Sequence, residues 1–189
     1  MGKLETKSMK LNIGCGWRNF GSDWTHIDYG DYDHLDYKCN VSKKLPLSDN
    51  IADLIYASHV IAYFDKSEIE KILLDWKRVL KPGGIIRLAT PDFESMSKLY
   101  ENGEYDLCSF LGPMYGKMDM DGITIYHKTV YDLKTIYDLL DSLGFNSIER
   151  YNWRNTEHSS FDDHSQAYLH PKGDKGNGTL ISLNVECTK

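Results

Sequence analysis

Apolar residues along this chain fall into short runs separated by stretches of helical period, and the runs end in glycine or in an acid. Residues 9–13 form one such run ending in Gly14-Cys15-Gly16, which predicts a buried strand feeding a tight turn. Residues 24–28 predict a second strand ending in Asp28, residues 37–41 a third, and residues 51–57 a fourth with Asp53 as its one charge. Ser58 and His59 then fall at the carboxyl end of the fourth, which is where open parallel sheets place ligands. Next, Ile69, Ile72, Leu73, Trp76, Val79 and Leu80 recur on one helical face, with Ser67 and Glu70 spaced as a capping box. Lys81-Pro82-Gly83-Gly84 ends that helix and leads into the apolar run 85–90. Strand, helix, strand in this order predicts a right-handed parallel crossover in an α/β sheet.

A last helix is predicted over residues 130–143, with Thr129 as its cap and Gly144 as its stop, followed by closing strands at 145–151 and 180–187. Two long stretches, 102–128 and 152–178, show no sustained period, and loops of that length inside a compact domain are usually functional. The polar residues 1–8 read as a disordered leader before one domain over 9–189; they lack the apolar core of a signal peptide. With 189 residues there is room for one full-sized domain. No apolar run reaches the roughly 18–20 residues of a membrane span, so a cytoplasmic protein without a membrane partner is expected. A formal net charge of -6 disfavours a nucleic-acid partner, because such binding draws on clustered Lys and Arg. Cys15, Cys39, Cys108 and Cys187 form no C-x-x-C pair, so they read as free thiols rather than metal ligands or disulfides.

The glycine turn carries the first chemical signal. Without side chains at Gly14 and Gly16 the backbone can turn sharply and a ligand can approach it closely. Asp28, at the end of the next strand, is placed to accept hydrogen bonds from both ribose hydroxyls of an adenosine ligand. An ordinary tight turn is the competing reading. A dinucleotide fits less well: Asn19 stands where a third glycine belongs, and residues 17–23 hardly suffice for the helix whose amino terminus holds a pyrophosphate. S-adenosylmethionine carries no phosphate, and a short glycine turn with an acid suits it.

Leu-Asn-Ile-Gly-Cys-Gly at 11–16, His26-Ile27-Asp28, Leu45-Pro46-Leu47-Ser48-Asp49, Ser58-His59-Val60 and Arg78-Val79-Leu80-Lys81-Pro82-Gly83-Gly84 together resemble a class I S-adenosylmethionine-dependent methyltransferase. The resemblance is close over residues 9–93, with His127-Lys128-Thr129 and Leu143-Gly144-Phe145 similar to the carboxyl half of a small single-domain subgroup. It implies a Rossmann-like, doubly wound sheet of about seven strands, mostly parallel with an antiparallel last strand, and S-adenosylmethionine as cofactor. It further implies that Gly14 and Gly16 face the methionine portion, with the Asn12 amide accepting from its ammonium and Cys15 also in the cofactor site, that Asp28 faces the ribose, that Asn40 and Val41 flank the adenine, and that Ser58 and His59 sit beside the methyl-bearing end. Two departures stand out. Asn12 replaces an acid, and the family's His-x-x-Glu-His run appears as His59-Val60-Ile61-Ala62-Tyr63.

Methyl transfer needs an aligned acceptor and, for a hydroxyl or neutral nitrogen, a base. His127, in a loop before a helix, is the first candidate, with a histidine bracing the helix start as the alternative. Asp92, just past a strand's carboxyl end, is a second candidate base that reads equally as a helix N-cap. Asp162-Asp163-His164 offers metal-type ligands, although an exposed polar loop is the favoured reading and no metal is expected. Tyr115, Tyr126, Trp153 and Tyr168 are available as aromatic faces for an acceptor. Members of the resembling subgroup accompany surface-polysaccharide enzymes, so the expected acceptor is the oxygen or nitrogen of a small molecule or glycan, with the protein a monomer or homodimer. The alternative is a catalytically inactive binding module of the same fold.

Overall fold

The computed structural model describes residues 8–120, 122–169 and 173–189. All of the expected leader except Ser8 lies outside them. The first half runs β1 (Lys10–Ile13), β2 (Trp24–Asp28), β3 (Tyr37–Lys38), β4 (Ala52–Ser58), α1 (Ile69–Val79) and β5 (Leu80–Pro91). The second half runs α2 (Phe93–Glu101), α3 (Leu107–Tyr115), β6 (Met118–Met120), β7 (Ile123–Ile125), α4 (Leu133–Ser142), β8 (Asn146–Arg150), β9 (Tyr168–Leu169), β10 (Thr179–Leu180) and β11 (Ser182–Thr188). Seven strands form one sheet in the order β3-β2-β1-β4-β5-β11-β8. β11 is antiparallel to both its neighbours and β1 to β5 are mutually parallel, as the resemblance implied. The last strand is slotted inside the sheet, and β8 takes the edge. Among the described residues no helix is long and apolar enough to cross a membrane.

Alternation along the central strands divides the sheet into two faces. Leu11, Ile13, Ile27, Ile55, Ile86, Leu88, Leu183 and Val185 point to one face and pack with Ile69, Leu73 and Trp76 of α1 and Ile136 and Leu140 of α4. Arg78 ties α1 to the turn before β4, donating from Nε to Asp75 at 2.8 Å and from Nη1 to the Leu47 carbonyl at 2.7 Å. The opposite face carries Trp24, Leu54 and Tyr56, which pack against Phe20, Tyr151, Trp153 and Phe161. Residues 14–23 form turns rather than a helix, so the aromatic segment from Tyr151 to Phe161 supplies the cover. Phe20 stacks on Phe161 with centroids 4.6 Å apart, and His158 lies 4.0 Å from Tyr56.

Several local expectations are corrected. Ser67 does not cap α1; its backbone N–H and hydroxyl both donate to Asp65, and the N-cap Glu68 makes no side-chain capping bond. α4 starts at Leu133 with Asp132 and Thr135 in a reciprocal capping box, while the Thr129 hydroxyl donates to the Phe64 carbonyl at 3.0 Å. Residues 81–84 are part of β5: Ala52 pairs with Leu80 and Leu54 with Ile85, so the extra residues bulge outward. The stretch 102–128, expected to be irregular, holds α3 and the antiparallel β6–β7 hairpin.

His158 is fully buried, with no hydrogen-bond partner on either ring nitrogen among the described residues. Burial pushes its imidazole from an ordinary 6.5 down to about 4, against a weaker opposing pull from Asp163. The unfolded chain therefore binds this proton more readily, and the fold's stability is complete above pH 6.5 and falls as pH drops towards 4. The loss expected from this one group is about 3 kcal/mol. Urea unfolding across pH 4–7 should show that slope in the wild type, and His158→Phe should flatten it; an unchanged slope contradicts the assignment.

Candidate active site

At the carboxyl ends of β1, β2 and β4 the sheet opens into a cavity of about 980 Å³, within the range of small-molecule sites. Its floor is the glycine turn. Gly14 and Gly16 both have left-handed backbone, φ 66° and 56°. A Cβ on Gly14 would sit 2.4 Å from Val60 Cγ2, so this glycine lets β1 pass close to the residues after β4. A Cβ on Gly16 would meet nothing within 4 Å, so this glycine leaves its side of the turn open.

Asp28 is 6% exposed and still lines the cavity. Its Oδ2 accepts the Gly16 N–H and its Oδ1 the Gly30 N–H, both at 2.8 Å. Each oxygen retains a further lone-pair direction for a ligand hydroxyl. Asn40 and Val41 line the cavity beyond Asp28, with Asn40 Oδ1 accepting from both the N–H and the hydroxyl of Ser42. Ser58 and His59 line it at the end of β4, and the Ser58 hydroxyl is buried with no partner among the described residues. Asn12 and Cys15, expected beside them, lie behind the wall, each 3% exposed. The Cys15 thiol faces His34 Nε2 at 3.6 Å and is pushed up to about 12, by burial first and then by the Asp28 charge.

The opposite wall is built by the end of α3 and the β6–β7 hairpin, through Pro113, Met118, Met120, Ile123, Ile125 and Tyr126. His127 follows the hairpin and also lines the cavity, with Nδ1 3.1 Å from the Pro113 carbonyl and 3.2 Å from that of Met114. A carbonyl only accepts, so Nδ1 carries the proton. Its Nε2 is buried without a partner among the described residues, and a Cβ on Gly116 would lie 2.2 Å from it. Burial lowers the His127 imidazole below its ordinary range. Tyr63, standing where the family pattern has a second histidine, donates its hydroxyl to the Gly116 carbonyl at 2.6 Å and packs edge-on against His127. The Ala62 carbonyl accepts the backbone N–H groups of Lys128 and Thr129. The Tyr63 hydroxyl and the Ala62 carbonyl thus fasten the cap to the turn after β4.

Asp92 is 1% exposed and lies outside the cavity lining. It is the N-cap of α2, accepting from the N–H groups of Glu94 and Ser95, from the Ser95 hydroxyl and from Arg150 Nη1 at 3.1 Å. This is the capping reading, and it commits both carboxylate oxygens. The Asp162-Asp163-His164 run diverges. Asp162 takes the Lys175 ammonium at 2.8 Å, buried Asp163 accepts the Tyr56 hydroxyl and the Ser165 N–H, and His164 lines the cavity. The expectation of an exposed polar loop therefore fails at Asp163. Of the candidate aromatic faces only Tyr126 lines the cavity; Trp153 and Tyr168 pack on the covered sheet face and Tyr115 is exposed. Trp17, Arg18, Tyr29 and Tyr32 line it unforeseen, although their adjacency to Gly16 and Asp28 was visible in the sequence.

Residues 17–88 match a family model described as a methyltransferase domain. No curated protein matches the chain. A solved S-adenosylmethionine-dependent methyltransferase from Archaeoglobus fulgidus is similar at 14% identity and TM-score 0.57, over 96% of this chain and 86% of that one. One from Methanosarcina mazei is similar at 17% identity and TM-score 0.57, over 97% of this chain and 93% of that one. The 1,6-didemethyltoxoflavin-N1-methyltransferase of Burkholderia thailandensis, solved with its acceptor and S-adenosylhomocysteine bound, is similar at 12% identity and TM-score 0.54, over 96% and 71%. Likeness at these identities is a likeness of fold. By that fold and over residues 17–88, the chain is similar to the S-adenosylmethionine-dependent methyltransferases.

Proposed function

We propose that this protein transfers a methyl group from S-adenosylmethionine to an oxygen or nitrogen of a small acceptor. The observation that carries the reading is the joint placement of Asp28 and Gly16 on the cavity floor, a carboxylate with spare lone pairs beside a backbone that no side chain covers. The residues present fit an adenosyl ligand. Asp28 accepts from the ribose hydroxyls, Asn40 and Val41 flank the base, and the open side of Gly16 admits the methionine portion. The Ser58 hydroxyl, with no partner among the described residues, supplies a polar group near the reacting end. When bound, the cofactor supplies a methyl carbon already activated by its sulfonium.

The acceptor side is defined by the cap. Met118, Met120, Ile123 and Ile125 present an apolar wall, and buried sugar hydroxyls would go unpaired against it. This wall supports a small molecule with an apolar surface more than a free glycan. His127 holds that wall in place through its bonds to the end of α3.

Calorimetric titration tests the cofactor reading. S-adenosylhomocysteine should bind the wild type and NADH should not, and Asp28→Asn should weaken binding by about 1.5–3 kcal/mol, the value of a hydrogen bond to a charged group. A folded wild type that ignores S-adenosylhomocysteine overturns the proposal. The two glycines should separate. Gly14→Ala forces both an unfavourable φ and a clash with Val60, and should cost about 2–4 kcal/mol of stability in urea unfolding. Gly16→Ala should cost only about 1 kcal/mol yet weaken S-adenosylhomocysteine at least tenfold, roughly, because its methyl occupies the ligand's space. Wild-type affinity in Gly16→Ala would place the ligand elsewhere.

A further inference from the structure

A second histidine in the cavity has its proton placed by a relay that reaches across the sheet. Asn184 Nδ2 donates to the Ser165 carbonyl at 2.9 Å, and since a carbonyl only accepts, the amide orientation is fixed. Asn184 Oδ1 therefore faces Ser182 and accepts its hydroxyl proton at 2.9 Å. Ser182 Oγ then offers only lone pairs to His59 Nε2, 3.1 Å away. The proton of the neutral ring sits on Nε2, and Nδ1 is left bare.

His59 lines the cavity at the carboxyl end of β4, beside Ser58. Its backbone is left-handed, φ 55°, and its N–H is held by the Ala89 carbonyl at 2.8 Å. Such a backbone is uncommon outside glycine and persists where the surroundings over-determine it. The charged and titratable groups acting on the ring are His164 from the turn 164–166, His127 below the cap and Arg18 after the glycine turn, while β11 presents the neutral Ser182 and Asn184. Burial first, and then the proximity of His164, His127 and Arg18, hold the imidazole well below its ordinary range. His127 differs in the respect that matters, because its free lone pair, on Nε2, is sealed against Gly116.

We propose that His59 is the general base of the reaction and that Ser182 and Asn184 are its positioning residues; the inference rests on the methyl-transfer reading above. The acceptor's lone pair forms the bond to the methyl carbon, and the carbon–sulfur pair stays with sulfur. The acceptor's proton passes to His59 Nδ1, leaving its bonding pair on the acceptor atom. One positive charge leaves the sulfonium and one appears on the imidazolium, so the site's net charge is unchanged through the step.

The test reads the tautomer and then the rate. In the protein labelled with ¹⁵N-histidine, the resonances lost in His59→Asn, a residue that tolerates the left-handed backbone, identify the ring. The expected spectrum at pH 7 shows a bare Nδ1 and a protonated Nε2, and Ser182→Ala should mix the tautomers while Ser182→Thr restores one. A protonated Nδ1, or an imidazolium at pH 7, overturns the proposal without any acceptor being needed. With tritiated S-adenosylmethionine and a panel of phenols, alcohols and amines, the acceptor returned should be turned over at least 100-fold, roughly, more slowly by His59→Asn. The variant should also lose the wild type's fall in rate towards acid pH, and wild-type turnover with an unchanged pH profile overturns it. Absence of S-adenosylhomocysteine binding to the wild type would instead mark failure of the methyl-transfer reading, with the tautomer still legible in the unliganded chain.

Discussion

The Asp28 carboxylate is the constraint on which the site is built. It joins the exit of β2 to the turn after β1 by accepting the Gly16 N–H, and it closes its own turn by accepting the Gly30 N–H. Turns that have left the sheet cannot draw on its ladder, so a buried side chain must satisfy their amides. Asp28 does this while keeping one edge on the cavity. The same group therefore sets the shape of the floor and supplies its negative charge, and the close passage of Gly14 under Val60 sets how near the end of β4 comes to it.

A second constraint follows from the short connection between β1 and β2. Ten residues, 14–23, make turns where a helix would otherwise cover the sheet, and Trp24, Leu54 and Tyr56 need other cover. The segment after β8 provides it through Tyr151, Trp153 and Phe161, at the cost of burying His158 with no hydrogen-bond partner among the described residues. The arrangement also brings functional groups. Buried Asp163 pins the turn that follows, and that turn presents His164 to the cavity and the Ser165 carbonyl to Asn184. The long polar stretch is thus a cover for one sheet face and the far anchor of the His59 relay.

Much of this was legible in the sequence for definite reasons. Residues 24–28 read correctly as β2 because Trp24 and Ile27 anchor a short segment that ends in an acid. α1 was legible because Ile69, Leu73 and Trp76 repeat on one face. Its cap was not, since Ser67, Asp65 and Glu68 are all plausible capping types and only geometry shows where the hydroxyl is spent. The same ambiguity moved the start of α4 from Thr129 to Asp132. The cap over the cavity was hidden because α3 carries Gly112-Pro113 inside it and the hairpin strands are three residues each, too short to show a period. His59 and Ser182 are 123 positions apart, and no local pattern announces a relay that only the antiparallel seating of β11 beside β5 assembles.

The most direct test of the account is a crystal structure of the protein with S-adenosylhomocysteine. The account predicts the ribose hydroxyls on Asp28, the homocysteine portion along the open side of Gly16, and the sulfur directed towards the space between His59 and the β6–β7 hairpin. A ligand bound away from Asp28, or one whose sulfur is walled off from His59, would contradict it.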